Sequence, residues 1–230
     1  MGVRKVMRIG DALLPDFVAE VCAFFGDVAD PILDELVTED MQIIPATLRP
    51  GDAFQFYALP LYVLARIIRP TLAVETGTQN GASAQAILCA IRRNDHGRLL
   101  SIDAGTNSSD GTHQFTEDGV PGKHIPDHLR DRWDLVIGLT QHKLAPILAV
   151  QAVDLFFHDS DHSREVVEFE FRTVVAASVS GTIVSLHDHY GQWDYRSILE
   201  GWDPICGHEH PQVLEENGIY HNVIRAWRKP

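Results

Sequence analysis

The stretch from Leu72 to Ser83 constrains the fold more than any other part of the chain. An apolar run leads through Glu75 into a turn that contains Gly77 and Gly81, and helix-forming residues follow directly. Glycine permits a tight backbone turn, and the N–H groups at the start of the following helix point toward it. This order of strand, turn and helix is typical of a doubly wound α/β fold, in which ligands bind at the carboxyl ends of the strands.

The spacing of glycines in this turn favours one class of cofactor. A dinucleotide-binding turn has the pattern G-x-G-x-x-G, which seats a pyrophosphate on the helix N-terminus. This turn reads Gly77-Thr-Gln-Asn-Gly81, with Glu75 two positions before the first glycine. Fewer glycines and a nearby carboxylate suit a cofactor with a cationic amino-acid moiety, such as S-adenosylmethionine. An ordinary strand-to-helix turn is the alternative interpretation of this motif alone.

The next apolar run ends in an aspartate. Residues 97–103 read Gly-Arg-Leu-Leu-Ser-Ile-Asp, so Asp103 lies about one strand–helix unit after Glu75. A carboxylate at this strand end can accept hydrogen bonds from two ribose hydroxyls. We therefore select Asp103 as the best single cofactor residue, with a capping or turn role as the alternative. Gly138 follows the third predicted strand, where the adenine side of a cofactor would lie.

Composition excludes several kinds of partner. The chain has 230 residues, 45% of them hydrophobic, which suffices for one globular core. Its formal net charge of -13 disfavours nucleic acid and anionic membranes as partners, so we expect a small-molecule substrate. We expect a cytoplasmic protein, because no signal peptide or membrane span is apparent and the cysteines lack metal-type spacing. The cysteines, which we expect to be reduced, are Cys22, Cys89 and Cys206.

From Thr71 onward the pattern alternates between strands and helices, which predicts a parallel sheet with right-handed crossovers. The predicted strands are Leu72–Glu75, Leu99–Asp103, Trp133–Ile137, Ala152–His158 and Gly181–His187, followed by an edge strand at Ile219–Trp227. The predicted helices are Ala82–Arg92, His142–Ala149 and Ser163–Ala177. The polar residues from Gly105 to Asp127 predict a mobile loop over the carboxyl ends of the strands.

Residues 1–70 are predicted to form a helical N-terminal cap within the same domain as residues 71–230. Apolar residues recur at helical spacing from Asp11 to Phe25, and a short helix is expected over Pro31–Leu36. An apolar helix over Ala53–Arg69 is expected to be interrupted near Pro60. We expect this cap to act as a lid or as a surface for homo-oligomer formation.

Two later strands end in polar clusters. The strand that ends at His158 runs into Asp159-Ser-Asp-His162, and the next strand runs into His187 and Asp188. Neighbouring parallel strands lie about 4.8 Å apart, so Asp159 with His187 or Asp188 is predicted to bind Mg²⁺ or another divalent cation. Such an ion can lower the pKa of a substrate hydroxyl, and His162 is then the predicted general base.

Simpler interpretations of these polar residues also stand. His158 and His162 can instead bond to loop backbone, and for Asp161 we favour a helix cap over metal binding. A second metal site at His208 and His210 is less favoured than two exposed side chains in a Pro-bounded loop. The sequence leaves the roles of four histidines open: His158, His189, His208 and His210.

Four motifs in this order resemble class I S-adenosylmethionine-dependent methyltransferases. They are Glu75-Thr-Gly-Thr-Gln-Asn-Gly-Ala-Ser83, Ser101-Ile-Asp103, Asp154-Leu-Phe-Phe-His-Asp-Ser-Asp-His162 and Gly181-Thr-Ile-Val-Ser-Leu-His-Asp188. The branch that is most similar contains catechol O-methyltransferase, the macrolide-sugar O-methyltransferases and cephalosporin hydroxylase-like proteins. The resemblance covers Thr71 to Asp188.

This resemblance implies a Rossmann-like doubly wound sheet of about seven strands, mostly parallel, with an antiparallel C-terminal edge. It implies O-methylation of a hydroxylated small molecule by S-adenosylmethionine. The predicted cofactor-binding residues are Glu75, Gly77, Gly81, Ser83, Asp103, Gly138 and Asp159. The resemblance places Asp159, His187 and Asp188 at the positions of a magnesium site, with His187 replacing an acidic residue. It places His162 where the catechol enzymes have a catalytic lysine.

Three other functions fit parts of the pattern. A NAD-dependent oxidoreductase on a similar fold is disfavoured because the turn has no third glycine. A metal-dependent hydrolase or oxygenase would use the histidines and aspartates at 158–162 and 187–189. A non-catalytic S-adenosylmethionine binder would keep cofactor affinity and form no product.

Overall fold

The computed structural model describes residues 20–21, 23–26, 55–105, 120–187, 195–206 and 224–230. The strands are β1 (Leu72–Thr76), β2 (Arg98–Asp103), β3 (Trp133–Ile137), β4 (Leu155–His158), β5 (Ile183–Leu186), β6 (Asp203–Cys206) and β7 (Arg225–Arg228). The helices are α1 (Gln55–Ile68), α2 (Ala82–Asn94), α3 (Thr140–Leu148), α4 (Arg164–Ala177) and α5 (Tyr195–Ile198), and a 3₁₀ helix at Asp127–Arg132 precedes β3.

The seven strands form one sheet in the order β3-β2-β1-β4-β5-β7-β6. The first five are parallel, and β7 runs antiparallel to both β5 and β6. The chain winds outward from β1 to β3 and then returns to place β4 on the other side of β1. A doubly wound fold binds its ligands where this winding reverses, at the carboxyl ends of β1 and β4. The predicted fold, including the antiparallel C-terminal edge, is confirmed.

Helices cover both faces of the sheet because successive strand residues point to opposite faces. Ala73 of β1 packs in the layer that contains α1 and α2, whereas Val74 packs in the layer that contains α3 and α4. The same alternation directs Glu75 toward the α2 face and Thr76 toward the α4 face. The end of β1 therefore delivers one polar side chain to each layer.

Helix α1 continues through Pro60, so the predicted interruption is wrong. Proline removes one intrahelical hydrogen bond in the second turn of this helix. The next five residues, Leu61 to Ala65, are at most 2% exposed and belong to the apolar core. Burial of this segment offsets the missing bond, and the helix ends just before Pro70, as predicted.

Strand β6 lies in a segment for which the sequence predicts a loop. It contains Pro204, and proline is accepted in a strand only where its missing N–H is not needed. Strand β6 is at the edge of the sheet, which satisfies that condition. Two predicted strands also begin later than expected, at Leu155 instead of Ala152 and at Ile183 instead of Gly181.

The described part of the N-terminal region is helical and packs on the core. Residues 20, 21 and 23–25 are helical, and Val21 is completely buried in the same cluster as α1 and α2. The helix predicted over Pro31–Leu36 lies outside the described residues. The division into a cap at 1–70 and a main part at 71–230 stays a prediction.

Two of the three cysteines lie among the described residues, and the helices there can be compared with the length of a membrane span. Cys89 and Cys206 are buried thiols, and burial raises the pKa of Cys89 to about 11. Neither forms a disulfide with another described residue. Within the described ranges, every helix is too short or too polar to traverse a bilayer.

Candidate functional site

Both glycines of the turn after β1 are required by contacts within the protein. Gly77 and Gly81 have φ angles of +80° and +97°, which strongly favour glycine. A Cβ atom on Gly77 would lie 2.1 Å from the carbonyl oxygen of Asp159, and one on Gly81 would lie 2.6 Å from Cγ1 of Ile125. The turn is therefore packed tightly between two other segments. The predicted contacts of Gly77 and Gly81 with a cofactor stay predictions.

Residues 120–126 pair with this turn through their backbone. The N–H of Gly122 donates to the carbonyl of Gln79 at 2.7 Å, and the N–H of His124 donates to the carbonyl of Asn80 at 3.0 Å. This part of the predicted loop is thus bonded to the turn at the carboxyl end of β1, and its mobility stays a prediction. Residues 106–119 lie outside the described part of the chain.

The side chain of Arg130 also bonds to residues 120–126. Its side chain donates to the carbonyls of Gly122 and Ile125 at 2.9 and 3.0 Å. Its guanidinium also lies over the ring of Trp133, 5.1 Å from the centroid, which adds a cation–π contact. The turn is therefore held by the 3₁₀ helix and β3 as well as by the strands that flank it.

Asp103 at the end of β2 binds the backbone of two loops. Its Oδ2 accepts hydrogen bonds from the N–H groups of Thr78 and Gln79 at 2.8 and 3.0 Å, and its Oδ1 accepts one from Gly105 at 2.7 Å. A carboxylate offers about four acceptor positions, so about one is left. Binding both ribose hydroxyls would require exchange of one backbone bond, and the predicted contact with the cofactor stays a prediction.

Glu75 is completely buried below the turn. Its Oε1 accepts hydrogen bonds from the hydroxyls of Ser101 and Thr78 at 2.6 and 3.0 Å, and its Oε2 accepts one from Ser83 at 2.9 Å. Burial raises the pKa of Glu75 from 4.5 to about 7, against the lowering effect of the three hydroxyls, and the charge of Asp159 adds to the increase. Glu75 and Ser83, both predicted to bind a cofactor, thus face each other in this structure, and that prediction stays untested.

Two side chains connect Glu75 to its surroundings. Thr78 donates its hydroxyl to Glu75 and its backbone N–H to Asp103, so it links the two acids of the predicted cofactor site. Ser101 donates to Glu75 and accepts a hydrogen bond from the indole nitrogen of Trp133 at 2.7 Å. A change in the ionisation of Glu75 would therefore alter the hydrogen bonds of the turn and of the indole of Trp133.

The carboxyl end of β3 presents apolar side chains beside Asp103. Gly138, predicted to lie near adenine, donates its N–H to the carbonyl of Asp103 at 2.9 Å. Ile137 and Leu139 flank it and are 45% and 37% exposed. Exposed apolar side chains next to a carboxylate are suited to hold a flat ring beside a sugar.

The loops after β4 and β5 bring three predicted site residues together. Nδ1 of His187 lies 3.1 Å from Oδ1 of Asp159, and Nε2 of His162 lies 3.8 Å from the same oxygen. His187 is buried, whereas the His162 side chain is 30% exposed. Asp161 accepts a hydrogen bond from the N–H of Ser163 at 2.7 Å, in a turn just before α4; Ser163 is the N-cap of that helix, so the favoured capping role of Asp161 is not borne out.

The predicted divalent-cation site is only partly described. Asp188, the third predicted ligand, lies outside the described residues, as do His189, His208 and His210. Within the described residues, no three or more ligating side chains converge as a metal site would require. Asp159 and His187 bond to each other, and an imidazole is a poor substitute for the oxygen ligands that Mg²⁺ prefers. Metal binding stays a prediction.

The structure adds a second buried carboxylate, which the sequence analysis missed. Glu170 of α4 is completely buried; its Oε2 accepts hydrogen bonds from Thr76 at 2.6 Å and from Nδ1 of His158 at 2.8 Å, and its Oε1 accepts one from Ser160 at 2.7 Å. Burial acts to raise the pKa of Glu170, but the charge of His158 and the three hydrogen bonds hold it below its ordinary value. His158 thus bonds a carboxylate, not loop backbone.

One sequence signal points to Glu170. It is one of the α4 residues that are buried against the sheet, and a carboxylate in such a place needs hydrogen-bond partners. The buried residues of α4 are Val166, Val167, Glu170, Phe171 and Val174. The hydrogen-bond partners of Glu170 cannot be found from this helical pattern, because they depend on the register between strands. The register places Thr76 beside His158 and, on the other side of β1, Glu75 beside Ser101.

Comparison with known proteins identifies the class of this fold and site. Residues 74–189 match a family model described as a methyltransferase domain. The matched residues span the turn after β1, Asp103, Asp159 and His187, and they make up half of the chain. The chain therefore belongs to this family of methyltransferase domains, and the predicted class is confirmed. No curated protein sequence matches the chain significantly.

Solved structures show the same fold at low sequence identity. CalS11, a TDP-rhamnose 3'-O-methyltransferase of calicheamicin biosynthesis in its apo form, is 16% identical over 95% of this chain and 96% of its own, with a TM-score of 0.56. A methyltransferase from Geobacter sulfurreducens is 19% identical over 86% and 95% of the two chains, with a TM-score of 0.54. An O-methyltransferase from Bacillus cereus in complex with SAH is 18% identical over 88% and 90%, with a TM-score of 0.50.

Proposed function

We propose that this protein transfers the methyl group of S-adenosylmethionine to a hydroxyl group of a small molecule. The observation that carries the proposal is the position of Asp103. It ends β2 between the glycine turn and the exposed Ile137 and Leu139, next to the point where the winding of the sheet reverses. Membership in a methyltransferase family and a carboxylate beside an apolar shelf together favour a nucleoside cofactor.

Each part of this site has a role in the proposed binding. Asp103 would bind the ribose hydroxyls, and Ile137 and Leu139 would contact the adenine ring. Bound S-adenosylmethionine would supply an electrophilic methyl group. The partly exposed His162 would accept the proton of the acceptor hydroxyl, and Asp159, 3.8 Å away, would stabilise the resulting imidazolium.

The choice of oxygen as the methylated atom comes from the relatives. CalS11 is named a TDP-rhamnose 3'-O-methyltransferase, and the Bacillus cereus protein is named an O-methyltransferase. At their level of identity these proteins share the fold, so O-methylation and a sugar-like or phenolic acceptor belong to the proposal. The net charge of -13 favours a neutral or cationic acceptor over a polyanion.

A divalent ion is a separate part of the proposal. The described residues do not form an oxygen-rich set of ligands, so no catalytic step is assigned to a metal. If Asp159 nevertheless binds an ion, Asp159→Ala should lower turnover more than cofactor affinity. Equal turnover in wild-type protein before and after treatment with a chelator would leave a metal without a role.

Titration calorimetry with S-adenosylhomocysteine tests the cofactor. We expect binding by the wild type and a loss of roughly 2–3 kcal/mol in Asp103→Ala, typical of hydrogen bonds to a charged group. Asp103→Asn keeps the size of the side chain and removes its charge. Asp131→Ala removes an exposed aspartate that pairs with Arg92 and should bind normally. Unchanged affinity in Asp103→Ala would contradict the assignment.

Methyl transfer is then tested with S-adenosylmethionine carrying a ¹³C methyl group. Catechol and an uncharged rhamnose glycoside serve as acceptors, each with and without Mg²⁺. A labelled methyl ether supports O-methylation. Cofactor binding without product from any hydroxylated acceptor would favour a non-catalytic binder, and binding of NAD in place of S-adenosylhomocysteine would favour an oxidoreductase.

A further inference from the structure

We propose that Glu75 adjusts its charge to that of the bound cofactor: it loses its proton to solvent when the sulfonium cofactor binds and regains one when the thioether product replaces it. This inference rests on the proposed function and deepens it. Glu75 would thereby act as a specificity residue that favours S-adenosylmethionine over S-adenosylhomocysteine without touching either. The geometry around its carboxyl group is the basis for the proposal.

Glu75 has only neutral hydrogen-bond donors. All three are hydroxyls, from Thr78, Ser83 and Ser101, and no described ion pair or hydrogen bond joins Glu75 to a cationic side chain. A hydroxyl can donate or accept, so a group of hydroxyls can accommodate a carboxylate or a carboxylic acid. This arrangement can therefore hold either form of Glu75.

Among the described residues, the charge that acts on Glu75 is that of an acid. Strand β4 leads to Asp159, whose charge disfavours ionisation of Glu75, and β2 leads to Asp103, to which Thr78 also bonds. Helix α2 contributes only Ser83, and the turn contributes only Thr78. No described cationic side chain thus balances a negative charge on Glu75, and a cation at the turn would be the missing partner.

Burial places the balance between the two forms close to neutral pH. Burial raises the pKa of Glu75 to about 7, so both forms are populated near neutral pH. Glu75 lies beneath the turn, one hydroxyl away from the backbone of Thr78. The amino-acid ammonium is present in both ligands, so the difference between them is the sulfonium charge. That charge, above the turn, acts through a medium of low dielectric constant and would favour the carboxylate further, whereas a neutral thioether would not.

This coupling predicts a pH-dependent preference between cofactor and product. If S-adenosylmethionine binds best to the ionised form, its affinity relative to that of S-adenosylhomocysteine falls as the pH falls below 7. For a carboxyl with this pKa, the ratio should decrease about fivefold between pH 7 and pH 6. At low pH, the affinity for S-adenosylhomocysteine would therefore be higher relative to that for S-adenosylmethionine.

Proton release measured by calorimetry tests the proposal. Each ligand is titrated into the protein at pH 7 in phosphate and in Tris, buffers with different heats of ionisation. We expect S-adenosylmethionine to release more protons than S-adenosylhomocysteine, because part of the Glu75 population begins protonated. The ratio of the two affinities, measured at pH 6 and 7, gives an independent readout on the wild type.

Glu75→Gln is the matched variant. A glutamine can keep Oε1 toward Ser101 and Thr78 and donate its N–H to Ser83, so it imitates the protonated form in shape and bonding. It retains every other titrating group of protein and ligand. We expect the difference in proton release to disappear, and the affinity ratio to become independent of pH between 6 and 7.

The outcomes separate this proposal from the proposed function. If neither ligand binds the wild type, the proposed function fails, and this inference fails with it. If both bind and release equal numbers of protons, or if the affinity ratio does not change with pH, Glu75 is not coupled to cofactor charge, although the function stands. A difference that persists in Glu75→Gln assigns the proton to another group and overturns the proposal.

Discussion

Glu75 and Glu170 occupy two sites of nearly the same design on opposite faces of the sheet. Both carboxyl groups are completely buried, and each has one oxygen that accepts two hydrogen bonds and one that accepts a hydrogen bond from a serine. The two sets of donors differ at one position, and the charge of Asp159 acts on Glu75 in addition. Glu75 is bonded to the hydroxyl of Ser101 where Glu170 is bonded to the imidazole of His158.

The different donor is the main reason why burial has opposite outcomes for the ionisation of the two acids. Burial raises the pKa of Glu75 to about 7, because hydroxyls cannot supply a positive charge. Burial acts on Glu170 in the same direction, but the charge of His158 and the hydrogen bonds lower its pKa below the ordinary value. In this protein the identity of the donor, more than the degree of burial, decides which acid is charged.

The two sites should therefore respond to pH in opposite ways. The stability that ionised Glu170 contributes is present above its ordinary pKa of 4.5 and is lost as the pH falls through its lower folded value. The cost of ionising Glu75 is absent below 4.5 and grows as the pH rises to about 7. Replacing each acid in turn separates these contributions.

Of these substitutions, Glu170→Ala should have the largest effect on the unfolding free energy. It leaves Thr76, Ser160 and a buried imidazole without their acceptor, and breaking a buried ion pair in this way costs about 3–5 kcal/mol of unfolding free energy. Urea denaturation at pH 7.5 measures the change. Glu168→Ala, which removes an exposed pair with Arg164 from the same helix, should cost less than about 1 kcal/mol. Equal losses in both variants would show that Glu170 does not hold a stabilising pair.

Glu75→Gln should have an intermediate effect that depends on pH. Its unfolding free energy minus that of the wild type should rise by roughly 3 kcal/mol between pH 4.5 and pH 8, because the wild type alone must ionise a buried acid. Urea denaturation across this range tests the prediction. A difference that does not vary with pH would mean that Glu75 keeps the same charge in the folded and unfolded chain.

Ser101→Ala should have the smallest effect. It removes one of three donors to Glu75, which should raise the pKa of Glu75 further. It also removes the acceptor of the indole N–H of Trp133. The fluorescence of Trp133, obtained as the difference from a Trp133→Phe variant, should titrate near pH 7 in the wild type. Fluorescence of Trp133 that is constant from pH 6 to 8 would contradict the connection.

The sequence predicts the sheet well because its strands alternate with helices and are bounded by glycine and proline. The turn at Gly77 and Gly81 forms as the sequence predicts, and the structure adds contacts with Asp159 and Ile125 as a further reason for glycine at both positions. These contacts join segments that are distant in sequence, and no local pattern contains them. The effects of Pro60 and Pro204 are predicted wrongly for the same reason. Whether a proline interrupts a helix or a strand depends on burial and on position in the sheet, which are set by distant segments.

The candidate site is predicted in its residue types and only partly in its chemistry. Glu75 and Asp103 are located by their positions after apolar runs, but their present hydrogen bonds are to the protein. Whether Glu75 meets a hydroxyl or an imidazole depends on the register between β1 and its neighbours. Register arises from the packing of the whole sheet, so the charge of each acid could not be read from sequence.

The most direct test of this account is the ionisation of the two acids in one sample. Carbon-13 NMR of protein labelled at the glutamate side-chain carboxyl carbons, with Glu75→Gln and Glu170→Gln to assign the signals, follows both from pH 4 to 9. We expect Glu75 to titrate with a midpoint near 7 while Glu170 stays ionised to below pH 4.5. Titration of both below pH 4.5, or of Glu170 above Glu75, would contradict it.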